Sequence, residues 1–280
     1  MTKKKFTQDP YLESARNAFR QNELARAEDF IKASIEANST NPIAHAYYGE
    51  ILLGLGRPEE AGDSYQLATD ICPKEGTFWH GLGLAKFRAG SLGAGIDALR
   101  CAIELMPDNP EVHNNLGNLQ KETGNLRDAV FSYKRALELK PDFGEAFGNL
   151  GVVFLGLGEL LDAEKALSTA AQLRPMDPVI LTNLGCVFAA LGRMTDATRW
   201  HRKAIKLDAK NTAALNNLAI SLKDKGQINN AIKVYDRLIE LAPHDYSARS
   251  NRLMCLNYRD SSDGVTIFRS HREWEENLKK

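Results

Sequence analysis

One interval governs this chain. Glycines recur every 34 residues at Gly49, Gly83, Gly117, Gly151 and Gly185, with Ala15 and Ala219 in the same column at the two ends. A second column runs Ala27, Ala61, Gly95, Ala129, Ala163, Ala197 and Ala231, and a third runs Ser34, Ala68, Ala102, Ala136, Ala170, Ala204 and Leu238. Asn22, Gly56, Gly90, Gly124, Gly158, Gly192 and Gly226 form a fourth. Pro73, Pro107, Pro141, Pro175 and Pro243 form a fifth, with Ser39 and Ala209 at the equivalent places. Seven blocks therefore cover residues 8 to 245 without an insertion or deletion. A period of this size means that each block is one supersecondary unit, which buries its apolar face only against its neighbours, so the core grows along the array.

Each block divides into two helices. The segment 110–123 has apolar residues at helical spacing and stops at Gly124, whose tolerance of the left-handed conformation suits a helix C-terminus. The segment 126–141 is a second amphipathic helix closed by Pro141, which cannot continue it. Small residues in the columns of Gly117, Ala129 and Ala136 let the two antiparallel helices approach closely, since a larger side chain there forces the axes apart.

The sequence His-Asn-Asn-Leu-Gly at 113–117, with Ala129, Tyr133, Ala136 and Pro141 behind it, resembles the tetratricopeptide repeat, and the resemblance covers about 85% of the chain. It implies an all-α fold, a right-handed superhelical solenoid of helix-turn-helix repeats, whose first helices line a concave groove. Repeat 1 is the weakest copy, with Ala15, Asn22 and Ser39 in place of the usual Gly, Gly and Pro, as a polar terminal cap requires. The expected organisation is a tail at 1–7, seven repeats at 8–245, a closing helix at 246–259, and a turn with a final helix at 260–280.

Composition narrows the partners. The 36 basic residues balance 36 acidic ones, so the concentrated basic surface that nucleic-acid binding relies on is not expected. No run approaches the roughly 20 apolar residues needed to cross a bilayer, so neither membrane insertion nor a targeting segment is expected. Cys72, Cys101, Cys186 and Cys255 form no C-x-x-C pair, which argues against a zinc knuckle or redox motif and for reduced thiols in a cytoplasmic protein. The partner class that remains is a protein or peptide segment, with self-association as a further option.

Numbering each repeat from Gln8, Pro42, Gly76, Pro110, Gly144, Pro178 and Thr212, helical geometry sends positions 3, 4, 7, 8, 10, 11 and 14 of the first helix into the packing. Positions 2, 5, 6, 9, 12 and 13 face the other way, and in the resembled family that face lines the groove. Position 6 carries Asn115, Asn149, Asn183 and Asn217, and the same step reaches Asn251 in the closing helix. An asparagine donates and accepts, so a row of them can hold the backbone of an extended peptide without reading its side chains; equally, it can serve only neighbouring groups of the fold. Tyr47, Leu84, Phe87, Asn118, Val152, Leu155 and Cys186 complete the candidate peptide-binding groove. The lysine-rich clamp of chaperone-binding members, which grips a C-terminal carboxylate, needs basic residues at positions 2, 5 or 6, where this chain has Asp9, Leu12, Ala46, Thr77 and His80.

Catalytic patterns fail one by one. None of the six histidines has a second histidine four residues on or a cysteine at metal-ligand spacing, and His45 and His113 share position 4 with Trp79, Phe147, Leu181 and Leu215, which marks them as packed structural residues. No phosphate loop, nucleophile elbow or zincin motif is present, so no cofactor, no metal and no enzymatic activity are expected. The zero net charge is nonetheless a sum of unlike blocks. The second repeat holds two basic and six acidic residues, and the sixth holds six basic residues, Arg193, Arg199, Arg202, Lys203, Lys206 and Lys210, against Asp196 and Asp208. Such runs are ordinarily solvated helix faces, but opposite blocks on one array also permit head-to-tail assembly.

A second resemblance lies in the tail. Ser250, Asn251, Leu253, Leu256, Asn257 and Tyr258, followed by Ile267, Phe268, His271 and Trp274, resemble the junction between repeats and catalytic domain in bacterial relatives of O-linked N-acetylglucosamine transferases. No nucleotide-sugar-binding domain lies within residues 1–280, so no catalytic residue is carried over. Two expectations follow: a non-catalytic scaffold that binds an extended peptide in its groove, or the substrate-recognition arm of such a glycosyltransferase.

Overall fold

A computed structural model describes residues 9–258 together with residues 265, 268, 269 and 272. Among the described residues every regular element is an α-helix. They are α1 (Pro10–Arg20), α2 (Leu24–Ala37), α3 (Pro42–Gly54), α4 (Pro58–Ile71), α5 (Gly76–Arg88), α6 (Leu92–Leu105), α7 (Pro110–Glu122) and α8 (Leu126–Leu139). There follow α9 (Gly144–Leu157), α10 (Leu160–Leu173), α11 (Pro178–Ala190), α12 (Met194–Leu207), α13 (Thr212–Asp224), α14 (Ile228–Leu241) and α15 (Tyr246–Asn257). The chain divides into two compact units, Met1–Pro141 and Asp142–Lys280.

In the first unit α1 to α8 pack in chain order, each helix against the next, and the odd-numbered helices α3, α5 and α7 also touch in sequence. The second unit repeats the arrangement from α9 to α15, with α9, α11 and α13 in contact. Both units are thus stacks of helix pairs, the solenoid order that the 34-residue period implies.

The columns explain the pairing. A Cβ placed on Gly49 would lie 2.6 Å from the Tyr65 ring, on Gly83 2.6 Å from Leu99, on Gly117 2.7 Å from Tyr133, on Gly151 2.5 Å from Leu167 and on Gly185 2.5 Å from His201. Each glycine of this column therefore receives one large side chain of the second helix, and nothing bigger than a hydrogen fits beneath it. Between the two helices the chain reverses through a left-handed residue: φ is between +72° and +79° at Gly56, Gly90, Gly124, Gly158, Gly192 and Gly226, and +61° at Asn22. Asparagine is among the few other residues that enter this region readily, so the first repeat keeps the turn without its glycine.

Helix starts follow two rules. First helices other than α9, which starts behind Phe143 without a side-chain cap, begin behind an extended residue whose side chain accepts from backbone N–H groups of the first turn, as Asp9 does from Tyr11 and Leu12, Asn109 from Glu111 and Val112, and Asp177 from Val179 and Ile180. Second helices have no such side-chain cap, even at Ser91 and Asn125. The turns into α3, α5, α7 and α15 are each closed by a further bond over six residues. His45 Nε2 donates to Ser39 O at 2.8 Å, Trp79 Nε1 to Pro73 O at 2.8 Å, His113 Nε2 to Pro107 O at 2.8 Å and Arg249 Nε to Pro243 O at 3.0 Å. The position-4 histidines are structural donors, as their column indicates. No helix among the described residues is long and apolar enough to cross a membrane.

Candidate functional site

All twelve residues of the expected groove are half-buried, neither sunk in the core nor fully in solvent. The two units carry them separately. The first unit presents Tyr47 on α3, Leu84 and Phe87 on α5, and Asn115 and Asn118 on α7. The second presents Asn149, Val152 and Leu155 on α9, Asn183 and Cys186 on α11, Asn217 on α13 and Asn251 on α15.

In the first unit most of these side chains already have work within the fold. The Phe19 ring meets Tyr47 edge-on with centroids 6.2 Å apart, and the Arg16 guanidinium lies 5.2 Å from the centre of the Tyr47 ring. Phe87 packs against the core formed by Leu99, Val112, Leu116 and Leu119. Asn118 Oδ1 accepts from the buried Tyr133 hydroxyl at 2.7 Å. Asn115 Nδ2 lies 2.8 Å from His80 Nε2 on the preceding first helix. Burial pushes the His80 pKa down, with Glu111 opposing, so the ring is neutral near pH 7 and its Nε2 accepts the amide N–H.

The second unit is chemically different. Asn217 Nδ2 donates to Cys186 Sγ at 3.1 Å, and burial pushes the Cys186 thiol up, which keeps it protonated and unreactive. Both ring nitrogens of the buried His201 lack a hydrogen-bond partner, so Cys186 and His201 form no thiol–imidazole pair. Desolvation alone lowers the His201 pKa to about 4. Asn183 and Asn251 have no hydrogen-bond partner among the described residues and are partly open to solvent. Between and beside them run Val152, Leu155, Cys186 and Ala189, together with Ile220 and Met254.

Ile220 and Met254 were missed in the list of groove residues, although a 34-residue step from Cys186 reaches both. His80 was excluded as a clamp residue and turns out to be the partner of Asn115. Among the described residues no group of three or more His, Cys, Asp or Glu side chains is placed to hold a metal ion. In the tail, Leu253 and Leu256 are buried while Asn257 and Tyr258 are exposed; Ile267, His271 and Trp274 lie outside the described residues.

Comparison with known proteins identifies the repeat. Models of the tetratricopeptide repeat match residues 12–76, 110–143, 149–214 and 212–245, together more than two thirds of the chain. No curated protein sequence matches it. Among solved structures, a chain of the APC/C hetero-tetramer Cut9-Hcn1 superposes with a TM-score of 0.73 at 16% identity, covering 90% of this chain and 50% of that one. This chain thus spans half the length of that relative. PilF of Pseudomonas aeruginosa gives a TM-score of 0.66 at 18% identity over 75% of this chain and 95% of its own. YrrB, described as a repeat protein with an unusual peptide-binding site, gives 0.54 at 20% identity over 66% and 95%. At these identities the likeness is one of fold.

Proposed function

Because the chain belongs to the tetratricopeptide-repeat family, we propose that it is a non-catalytic interaction scaffold holding an extended segment of a partner protein on the inner face of its second unit. The observation that carries this reading is the pair of unoccupied amides, Asn183 and Asn251, set on either side of Asn217 on a face of Val152, Leu155, Cys186, Ala189, Ile220 and Met254. Amide groups that the fold does not use, half-buried beside aliphatic side chains, suit a peptide backbone with small uncharged side chains. Packed helices lie about 8–10 Å apart, which is roughly three residues of extended chain at ~3.3 Å each, so successive first helices would meet every third residue of the guest.

The chemistry of the face also argues against catalysis by these residues, since the Cys186 thiol is protonated and engaged and the His201 ring is sealed off. YrrB, whose description includes a peptide-binding site, lends support by analogy of fold.

The test is a random peptide array probed with the full chain and with Asn183→Ala/Asn251→Ala. Bound peptides should be uncharged in their central residues, and the double variant should lose them with an unchanged melting temperature. Retention of the same peptides by the double variant, or an array without binders, would remove the reading.

A further inference from the structure

Beyond the inner face, the outer faces of two second helices carry opposite charge that the fold itself leaves unanswered. On α4 the residues Glu59, Glu60, Asp63, Gln66, Leu67, Asp70 and Ile71 are exposed. The helix contains no lysine or arginine. Arg57, just before it, is occupied by Glu60 at 2.6 Å and by Glu28 at 2.8 Å. Glu59 and Asp63 therefore have no cationic partner among the described residues. Their spacing, four residues apart, puts both on one stripe, where like charges repel.

On α12 the exposed stripe is Arg199, Arg202, Lys203 and Lys206, with exposed Lys210 beyond the helix end. The acid of this helix, Asp196, is already bound by Arg193 and Arg199, each at 3.1 Å. Lys203 lies 5.0 Å from the centre of the Trp200 ring, and Arg202, Lys206 and Lys210 have no carboxylate within ion-pair distance among the described residues. At 1.5 Å per residue the acidic stripe runs roughly 16 Å and the basic one roughly 10 Å. Each stripe has an apolar margin: Leu67 and Ile71 beside the carboxylates, and half-buried Trp200 beside the cations.

We propose that a second copy of this chain docks here, the acidic outer face of α4 in one molecule against the basic outer face of α12 in the next. Self-complementarity is the choice the charges favour, because the 36 cations and 36 anions of the whole chain balance while these two faces do not. A foreign acidic or basic partner would answer one stripe and leave the other bare. The contact is heterologous, one kind of face meeting the other, so assembly either closes on itself or continues as an open chain. Its strength depends on exposed charges and falls as salt shortens the screening length from about 8 Å at physiological ionic strength.

The experiment is light scattering on the full chain from micromolar to hundreds of micromolar, at about 20 mM and about 500 mM salt, where the screening length changes severalfold. The weight-average mass should rise with concentration at low salt, and the apparent association constant should fall about tenfold or more at high salt. Arg202→Glu/Lys203→Glu/Lys206→Glu should be monomeric, and so should Glu59→Lys/Glu60→Lys/Asp63→Lys. An equimolar mixture of the two should associate again, which also shows that both are folded. A monomeric wild type at low salt, a reversal variant that still associates, or a mixture that stays monomeric each overturns the proposal. Asn183→Ala/Asn251→Ala should assemble like the wild type, so loss of peptide binding and loss of assembly report on separate surfaces; assembly that vanished in that variant would move the contact to the inner face and overturn it here.

Discussion

Two alanine substitutions three residues apart in α9 should move stability in opposite directions. A Cβ on Gly148 would lie 3.4 Å from Ile180 Cγ1, 3.6 Å from its Cδ1 and 4.0 Å from Ala170 Cβ, all ordinary contact distances. A Cβ on Gly151 would lie 2.5 Å from Leu167 Cγ and 3.2 Å from the Leu167 backbone nitrogen, so the obstruction is not the free end of a side chain. Both changes gain the same ~0.8–1.0 kcal/mol of helix propensity. Gly148→Ala keeps that gain and should stabilise by about 0.5–1 kcal/mol. Gly151→Ala must also push Leu167, fully buried at 0% exposure, out of its seat. Overpacking of this kind costs about 1–3 kcal/mol, and the 2.5 Å approach to a fully buried side chain puts the cost in the upper part of that range, so the net effect should be a loss of up to about 2 kcal/mol. Urea unfolding followed by far-UV circular dichroism measures both, with midpoints compared at equal slope. Repeat arrays lose two-state behaviour readily, so amide exchange in α9 and α10 should accompany it and show the loss localised there. A Gly151→Ala protein as stable as the wild type, or a Gly148→Ala protein less stable than Gly151→Ala, would refute the close-approach argument.

The phenol hydroxyls give a second contrast: Tyr133→Phe breaks a 2.7 Å bond to Asn118 and should cost about 1 kcal/mol, whereas Tyr235→Phe removes a buried hydroxyl that has no partner and should be neutral or stabilising, as thermal melts will show. Asn115→Ala strands the His80 acceptor and should lower the melting temperature, while Asn183→Ala should not. For acid stability, burial holds the folded pKa of His201 near 4, below the ordinary histidine value of about 6.5, so the unfolded chain takes up the proton first. The contribution of the neutral ring is complete above about pH 6.5 and is lost as pH falls toward 4, with His80 acting in the same direction. Replacing His201 by leucine, the residue found at the matching Leu99 and Leu167, should flatten the fall in unfolding free energy between pH 6.5 and 4 measured by urea titration.

The repeat, the helix pairs and the left-handed turns were legible in the sequence because each is enforced by a backbone or steric requirement that only a few residue types meet. Glycine at Gly151 must be small whatever surrounds the repeat, and Gly124 must take positive φ. Caps were less legible. Ser91 and Asn125 are of the right type, yet their ψ values of 65° and 61° differ from the 105° and 109° of Asp9 and Asn109, which do cap. Behind the left-handed glycine the chain enters the second helix too bent for the side chain to reach, and the first backbone N–H turns back instead, as Leu126 N does to Gly124 O at 2.9 Å. The amide ladder was legible as a row but not in its allocation. Whether an asparagine is committed depends on what the preceding first helix offers: His80 takes Asn115 and Cys186 takes Asn217. Likewise Tyr235 is orphaned because Ile220 stands where Asn118 stands for Tyr133, a pairing between two helices that local patterning does not display.

The six-residue bonds from His45, Trp79, His113 and Arg249 back to the carbonyls of Ser39, Pro73, Pro107 and Pro243 lie across the boundaries at which repeats are numbered. Each closes a loop of seven consecutive residues, short enough to form before distant parts of the chain meet. At these four joints the angle at which one hairpin leaves and the next begins is therefore written locally, in the last residues of one block and the first four of the following block. A portable module of this protein is then not the block from one Pro-started helix to the next. It is a hairpin together with the opening turn of its successor, and grafts cut at the boundary used for counting would discard the element that sets the joint.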